Sequence, residues 1–243
     1  SSAASDVYKR QTLAWMAGCK IGTNVSMDDF GTYMSYQDFK YYEPKEQRLN
    51  KVCFITSNKK FTRGHRDRVN FANKILKNHI DLIDIYGNGY NPIDDKLEVL
   101  SKYKYVLAIE NGLCMDYWTE KLADSYLAGC HPIYYGCPNI SDYFEQDSMT
   151  KVNIRDYNGT INTIKDIIER DVFSTSREAV LTARNQVLDE YNMFNLIANE
   201  VSKIDSYNYL IEKMSLPEII YPMKYNLKDL VLYKLARLFN IVL

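Results

Sequence analysis

The stretch from Tyr103 to Asn139, YKYVLAIENGLCMDYWTEKLADSYLAGCHPIYYGCPN, restricts the fold more than any other part of this chain. Val106, Leu107, Ala108 and Ile109 form a short continuous apolar run, the pattern of a strand buried on both faces. Leu122, Ala123, Tyr126 and Leu127 then recur at helical spacing. Gly129 is placed to end that helix, and His131-Pro132 cannot continue it. A second apolar strand follows and closes on Gly136, Pro138 and Asn139. The helix is expected to begin at Tyr117-Trp118-Thr119-Glu120-Lys121 with Asp116 as its N-cap, since a carboxylate there can accept from the unpaired amides of the first turn. Strand, helix and strand in this order make a βαβ unit. Its dense polar cluster falls where strand gives way to helix, the carboxyl-end crevice in which open parallel sheets bind ligands.

Lys121 lies four residues after Tyr117, so both are expected on one face near the helix start. Glu120 sits about 100° further round. A cation and a phenol beside the amides of a helix N-terminus suit a phosphate. A neighbouring carboxylate suits ribose or sugar hydroxyls. The competing reading is that Glu120 and Lys121 form a solvated surface pair, and spacing alone favours it.

Taken in order, Ile109-Glu110-Asn111, Asp116-Tyr117-Trp118-Thr119-Glu120-Lys121, Ala128-Gly129 and Pro132 through Gly136 to Pro138 carry a longer pattern. The window resembles the donor-binding signature of the α-1,3-fucosyltransferases of glycosyltransferase family 10, with Ile109 where the family usually has Phe. Upstream, Val52-Cys53-Phe54-Ile55-Thr56-Ser57-Asn58, a helix from about Arg66 to Asn78, and Ile83-Asp84-Ile85-Tyr86-Gly87 resemble the family more loosely. The family's phosphate-contacting arginine maps to Arg68, before Phe71, with Arg66 as a close competitor. A basic solvated turn made by Arg63, Arg66 and Arg68 is the alternative to either.

The resemblance implies an α/β fold: a Rossmann-like parallel-sheet lobe of a two-lobed GT-B glycosyltransferase, with part of an N-terminal lobe ahead of it and a helical C-terminal tail. It implies GDP-fucose as donor, a glycan as acceptor, and inversion at the anomeric carbon in a single displacement; another GDP-sugar is the nearest variant, and a non-catalytic nucleotide-binding or membrane-surface scaffold the rival of a different class. The donor-site residues it implies are Arg68, Asn111, Tyr117, Thr119, Glu120 and Lys121. Lys121 and Arg68, with Tyr117, would stabilise the departing diphosphate; Glu120 and Asn111 would hold ribose, fucose or loop geometry, and Thr119 the turn. No cofactor and no metal are expected, and no D-x-D stands at a strand end. The family's base is a glutamate of the N-terminal lobe within a short acidic motif. Asp28, Asp29, Glu43 and Glu46 lack the matching neighbours, so the catalytic base is unassigned.

Composition agrees without selecting. With 30 basic against 31 acidic residues the chain shows no bulk drive toward nucleic acid, and 46% hydrophobic content in 243 residues supplies a core. The 21 tyrosines suit sugar sites, though most are expected at the core edge. The five cysteines form no C-x-x-C pair and read as small buried residues of a reducing compartment. His131 beside Cys130 and Cys137 fits no common zinc spacing and reads as a structural histidine. Gly87-Asn88-Gly89 reads as a turn after a strand.

Residues 1–11 resemble a non-native leader and are set aside from fold reasoning. Residues 12–50 are expected to be the remnant of an acceptor lobe, 51–200 the GDP-sugar-binding domain and 201–243 C-terminal helices. Later elements are expected at Val152–Asn153 (strand) and over Ile161–Arg170, Arg177–Tyr191 and Phe194–Met214 (helices). Leu227, Leu230, Val231, Leu235 and Leu238 recur at helical intervals beside Lys224, Lys228, Lys234 and Arg237. That basic amphipathic segment, 224–243, either lies on an anionic membrane surface or packs across the domain. The expected location is the cytoplasm, peripheral at a membrane, or the Golgi for a eukaryotic source.

Overall fold

The computed structural model describes residues 15, 17, 19–20, 31–32, 34–192 and 195–196. All belong to the first of two compact units, Ser1–Ile197; the second, Ala198–Leu243, lies outside the described residues, as do the leader, most of the helix expected over Phe194–Met214, and the basic segment 224–243.

In chain order the elements are β1 (Cys19–Lys20), β2 (Gly31–Thr32), α1 (Tyr36–Tyr41), β3 (Leu49–Ile55), α2 (Arg63–Asn78), β4 (Ile83–Tyr86), α3 (Lys96–Leu100), β5 (Tyr103–Ile109), α4 (Glu120–Leu127), β6 (His131–Tyr135), β7 (Thr150–Lys151), α5 (Tyr157–Glu169), α6 (Val172–Thr175) and α7 (Arg177–Asp189). β1 and β2 pair antiparallel. The remaining strands form one parallel sheet in the order β4-β3-β5-β6-β7. The first strand of this sheet, β3, has its successors on opposite sides. The order therefore reverses between β3 and β5, and a crevice opens at their carboxyl ends.

Both faces of the sheet are covered, which is why its strands read as unbroken apolar runs. On one face Val52, Phe54, Tyr105, Leu107, Ile109 and Ile133 meet Phe71, Ala72 and Ile75 of α2 and Ile161, Ile164 and Ile167 of α5. On the other, Cys53, Val106, Ala108 and Tyr134 meet α3, α4, α7 and Phe39 of α1. Leu122, Ala123, Tyr126 and Leu127 are all buried, and Gly129 closes α4 at φ +70°, as the helical spacing predicts. Each such apolar side chain removed from water stabilises by roughly 1.5–3 kcal/mol.

Several local expectations change. The N-cap of α4 is Thr119 and the helix starts at Glu120, so Tyr117 and Trp118 precede it. Asp116 instead adopts φ +60° and ties the loop down: its Oδ1 accepts from Asn139 Nδ2 and Tyr143 Oη, both at 2.8 Å, and its N–H donates to Asn139 Oδ1 at 2.9 Å. Trp118 is buried among Tyr143, Phe144 and Tyr191, an aromatic cluster that outweighs its helical spacing. The late strand is Thr150–Lys151, paired with Ile133 and Tyr134, two residues before the position expected. α2 begins at Arg63 under a Thr62 cap, three residues early.

Ahead of residue 51, α1 packs on the elements that cover this same sheet. Phe39 is fully buried, Tyr36 Oη donates to Asp189 at 2.7 Å, and Arg184 donates to the carbonyls of Phe39 and Tyr42. His131 is structural in its contacts: its ring nitrogens lie 2.8 Å from Ser176 Oγ and 2.8 Å from Thr150 Oγ1. Burial pulls its pKa down to about 4. Of the described cysteines, Cys53, Cys130 and Cys137 are buried and Cys114 is exposed.

Candidate functional site

The polar side chains gather where β3 and β5 end. Glu110, one residue past β5, is 1% exposed and would be costly there without partners. Its Oε1 accepts from Thr119 N–H at 2.8 Å, its Oε2 from Thr119 Oγ1 at 2.8 Å and from Lys121 Nζ at 3.2 Å. Lys121 Nζ also reaches Thr119 Oγ1 at 2.9 Å and Glu120 Oε1 at 3.1 Å. The Glu120–Lys121 pair expected from spacing does form, but as one edge of a buried network rather than as a solvated contact.

This network supplies physical reasons for the signature. Thr119 must present both a backbone amide and a hydroxyl to Glu110, and it caps α4 as well. Gly136 must lack a side chain, because a Cβ there would lie 2.5 Å from Glu110 Cγ and 2.4 Å from Tyr134 Oη. Gly64 must lack one too, since its Cβ would lie 1.7 Å from the Asn111 carbonyl oxygen; the first turn of α2 is pressed against the β5–α4 loop.

Charge sets the protonation states. Burial raises the Glu110 pKa and Lys121 pulls against that rise. Burial also opposes ionisation of Glu120, but Lys121 and Lys96 outweigh it and hold the pKa below the usual value. Glu120 is therefore an ionised, acceptor-only group. Burial and the nearby Glu110 raise the Tyr117 pKa, so its phenol keeps its proton and can donate.

Of the residues expected from the sequence, Thr119, Glu120 and Lys121 are in direct contact. Tyr117 lies within the field of Glu110, Lys121, Glu120 and Arg68. Arg68 is only 6% exposed and its Nε has no hydrogen-bond partner, while Glu110, Glu120, Tyr117 and Tyr90 act on its charge from across the crevice. Burial lowers its pKa. Arg66 is exposed and reaches back to the carbonyls of Lys60 and Phe61, at 3.4 and 3.5 Å. Asn111 has a buried side-chain oxygen without a partner and lines a cleft of about 430 Å³ with Thr62, Arg63, Asp67, Tyr135 and Arg155. A second cleft of about 480 Å³ opens beside β3 and β4, lined by Thr56, Lys59, Asn88, Tyr90 and Lys96 among others.

Sequence reasoning gave Glu110 no role of its own, although an acid closing an apolar strand run is an available signal. Among the described residues no group of three or more His, Cys, Asp or Glu side chains is placed to hold a metal ion.

A family model described as "Glycosyltransferase family 10 (fucosyltransferase) C-term" matches residues 45–171. The chain is 30% identical over 129 residues to Alpha-(1,3)-fucosyltransferase B of Drosophila melanogaster, covering 51% of this chain and 28% of that protein. It is 30% identical over 145 residues to Alpha-(1,3)-fucosyltransferase FucT of Helicobacter pylori, covering 60% and 27%. It is 31% identical over 143 residues to human 4-galactosyl-N-acetylglucosaminide 3-alpha-L-fucosyltransferase 9, covering 57% and 37%. These alignments thus take in only 27–37% of the relatives' own lengths. Among solved structures, "Crystal Structure of alpha1,3-Fucosyltransferase" overlaps with a TM-score of 0.43 at 26% identity, covering 56% of this chain and 39% of that one.

Proposed function

The chain belongs to glycosyltransferase family 10, and on that premise we propose that its carboxyl-end crevice binds GDP-fucose for inverting transfer of fucose to a glycan hydroxyl. The observation that carries this reading is Arg68: a buried cation with an unpartnered nitrogen, facing the Glu110–Thr119–Lys121–Glu120 network at the switch point of the sheet. A buried donor without an acceptor is costly, and a diphosphate arriving between Arg68 and Lys121 supplies acceptor oxygens to the Arg68 Nε that the carboxylates Glu110 and Glu120 influence only through their charge.

In the reaction an acceptor oxygen attacks the anomeric carbon while the bond to the β-phosphate oxygen breaks, so negative charge grows on the departing diphosphate. Lys121, held by Glu110 and Thr119, and Arg68 meet that charge from fixed positions, the arrangement that stabilises a transition state without reorganisation. Tyr117 donates its phenolic proton to the same oxygens. Glu120 and Asn111 accept from ribose or fucose hydroxyls. No residue of this chain is assigned as the base that takes the acceptor's proton. The whole enzyme would be a GT-B pair of lobes, with the acceptor read by the other lobe. Phe61, Leu113 and Met115, exposed on the two loops that flank the crevice, suit closure by an apolar surface.

Thermal unfolding with and without GDP or GDP-fucose tests this. Ligand at a hundredfold excess over Kd should stabilise the wild type by roughly 2.7 kcal/mol, Lys121→Ala should lose the ligand-dependent part, and GDP-mannose should give a smaller shift. A wild type indifferent to all three nucleotides would sink the reading.

A further inference from the structure

The first turn of α2 is built against its own dipole. It carries Arg63, His65 and Arg66, with Arg68 following, and contains no acidic residue. Cations at a helix N-terminus oppose the exposed amides, and anions favour them. The unpartnered, buried nitrogen of Arg68 lies on this same helix, and Gly64 brings the turn into contact with Asn111.

His65 is the residue this arrangement leaves unexplained. It completes a capping box with Thr62: His65 N–H donates to Thr62 Oγ1 at 3.2 Å, and its Nδ1 accepts from Thr62 N–H at 3.3 Å while lying 2.7 Å from Thr62 Oγ1. In the tautomer in which Nδ1 accepts from Thr62 N–H, the ring proton sits on Nε2, which the cap does not use. The ring edge packs on Phe61. Three residues apart on α2, His65 and Arg68 share a helix face, and burial with the positive charges of Arg68, Lys59 and Lys121 holds the imidazole below its ordinary pKa, which favours its neutral form.

We propose that His65 is a direct ligand of the donor diphosphate, donating a hydrogen bond from Nε2 between Arg68 and Lys121. This rests on the donor-site reading above and adds to it a residue that none of the signature positions supplies. A neutral donor suits a site already holding several cations, because it adds a bond without adding repulsion.

The capping box makes the test clean. Gln and Glu are the residues that close this box by accepting from the N-cap amide, so H65Q and H65E should both fold, and H65E should match or exceed the wild-type melting temperature. Titration of GDP-fucose by calorimetry separates binding from capping. H65Q, with an amide that still donates from a shorter reach, should weaken binding about threefold, and H65E at least about thirtyfold. R66E is the control for the general field of the helix: it changes the charge by two, yet should cost less than H65E because Arg66 turns to the loop carbonyls. If H65E binds within threefold of wild type, or R66E weakens binding as much as H65E, the proposal fails. A wild type that does not bind GDP-fucose overturns the donor-site reading along with it.

Discussion

Arginines occupy both ends of the sheet, and they are used in opposite ways. At the amino end three of them converge on the carboxyl terminus of α4: Arg48 donates to Ala128 O at 2.7 Å, Arg177 to Gly129 O at 3.1 Å and Arg184 to Leu127 O at 3.4 Å. Arg48 and Arg177 also lie over the ring of Phe173, each 5.7 Å from its centre. These cations satisfy orphan carbonyls and sit where the helix dipole favours them. At the carboxyl end Arg68 is on the first turns of α2, where the dipole opposes it, and its Nε is left unpartnered. The same side chain thus satisfies helix carbonyls at one end and leaves its Nε without an acceptor at the other. The difference is read from where the donors go, not from residue type or burial.

The largest effect expected from breaking this contrast is at Glu110, which holds the carboxyl end together from beneath. Glu110→Ala leaves the buried Thr119 amide without its acceptor and takes from Lys121 the more buried of its two carboxylates, and should cost about 3–5 kcal/mol in urea or thermal unfolding; a loss under 1 kcal/mol would mean that the network does not support the loop.

Next comes the amino end, where His131 is neutral and satisfied. Its folded value of about 4 lies below the ordinary 6.5. The unfolded chain therefore binds a proton that the folded chain refuses, and the stability this group contributes is present above pH 6.5 and lost as pH falls toward 4. At about 1.4 kcal/mol per unit this amounts to about 3 kcal/mol. Unfolding midpoints between pH 7.5 and 4.5 should fall faster for the wild type than for His131→Gln, and equal slopes would contradict the assignment.

The smallest effect on stability is the most telling. Arg184→Met should cost about 1–3 kcal/mol by orphaning carbonyls and leave GDP affinity alone. Arg68→Met should leave the free protein as stable or raise it by about 1 kcal/mol, yet lose GDP binding. If both variants lose stability to the same degree with binding intact, the two ends are alike and the contrast is wrong.

What could be read from the sequence follows from which forces are local. The runs of β5 and β6, the buried stripe of α4 and the stop at Gly129 are set by periodicity and backbone sterics within a few residues, and they stand where the pattern puts them. Asp116 and Trp118 were misplaced because their partners, Asn139, Tyr143, Phe144 and Tyr191, are more than twenty residues away and outbid the helix. Of the site, Thr119, Glu120 and Lys121 were legible as a motif. Glu110 and His65 were not, because the contacts of each are set in three dimensions: Thr119 and Lys121 for one, the Thr62 cap for the other. Short α3 and the packing of Phe39 had no periodic signal long enough to announce them.

The contact between Gly136 and Glu110 also constrains how this lobe can change by mutation. Enlarging residue 136 would have to displace both Glu110 Cγ and Tyr134 Oη, and shortening the acid at 110 would take one of its two carboxylates from Lys121. Positions 110, 134 and 136 are therefore coupled, whereas the exposed loop tips at Phe61, Leu113 and Met115 carry no such constraint from packing.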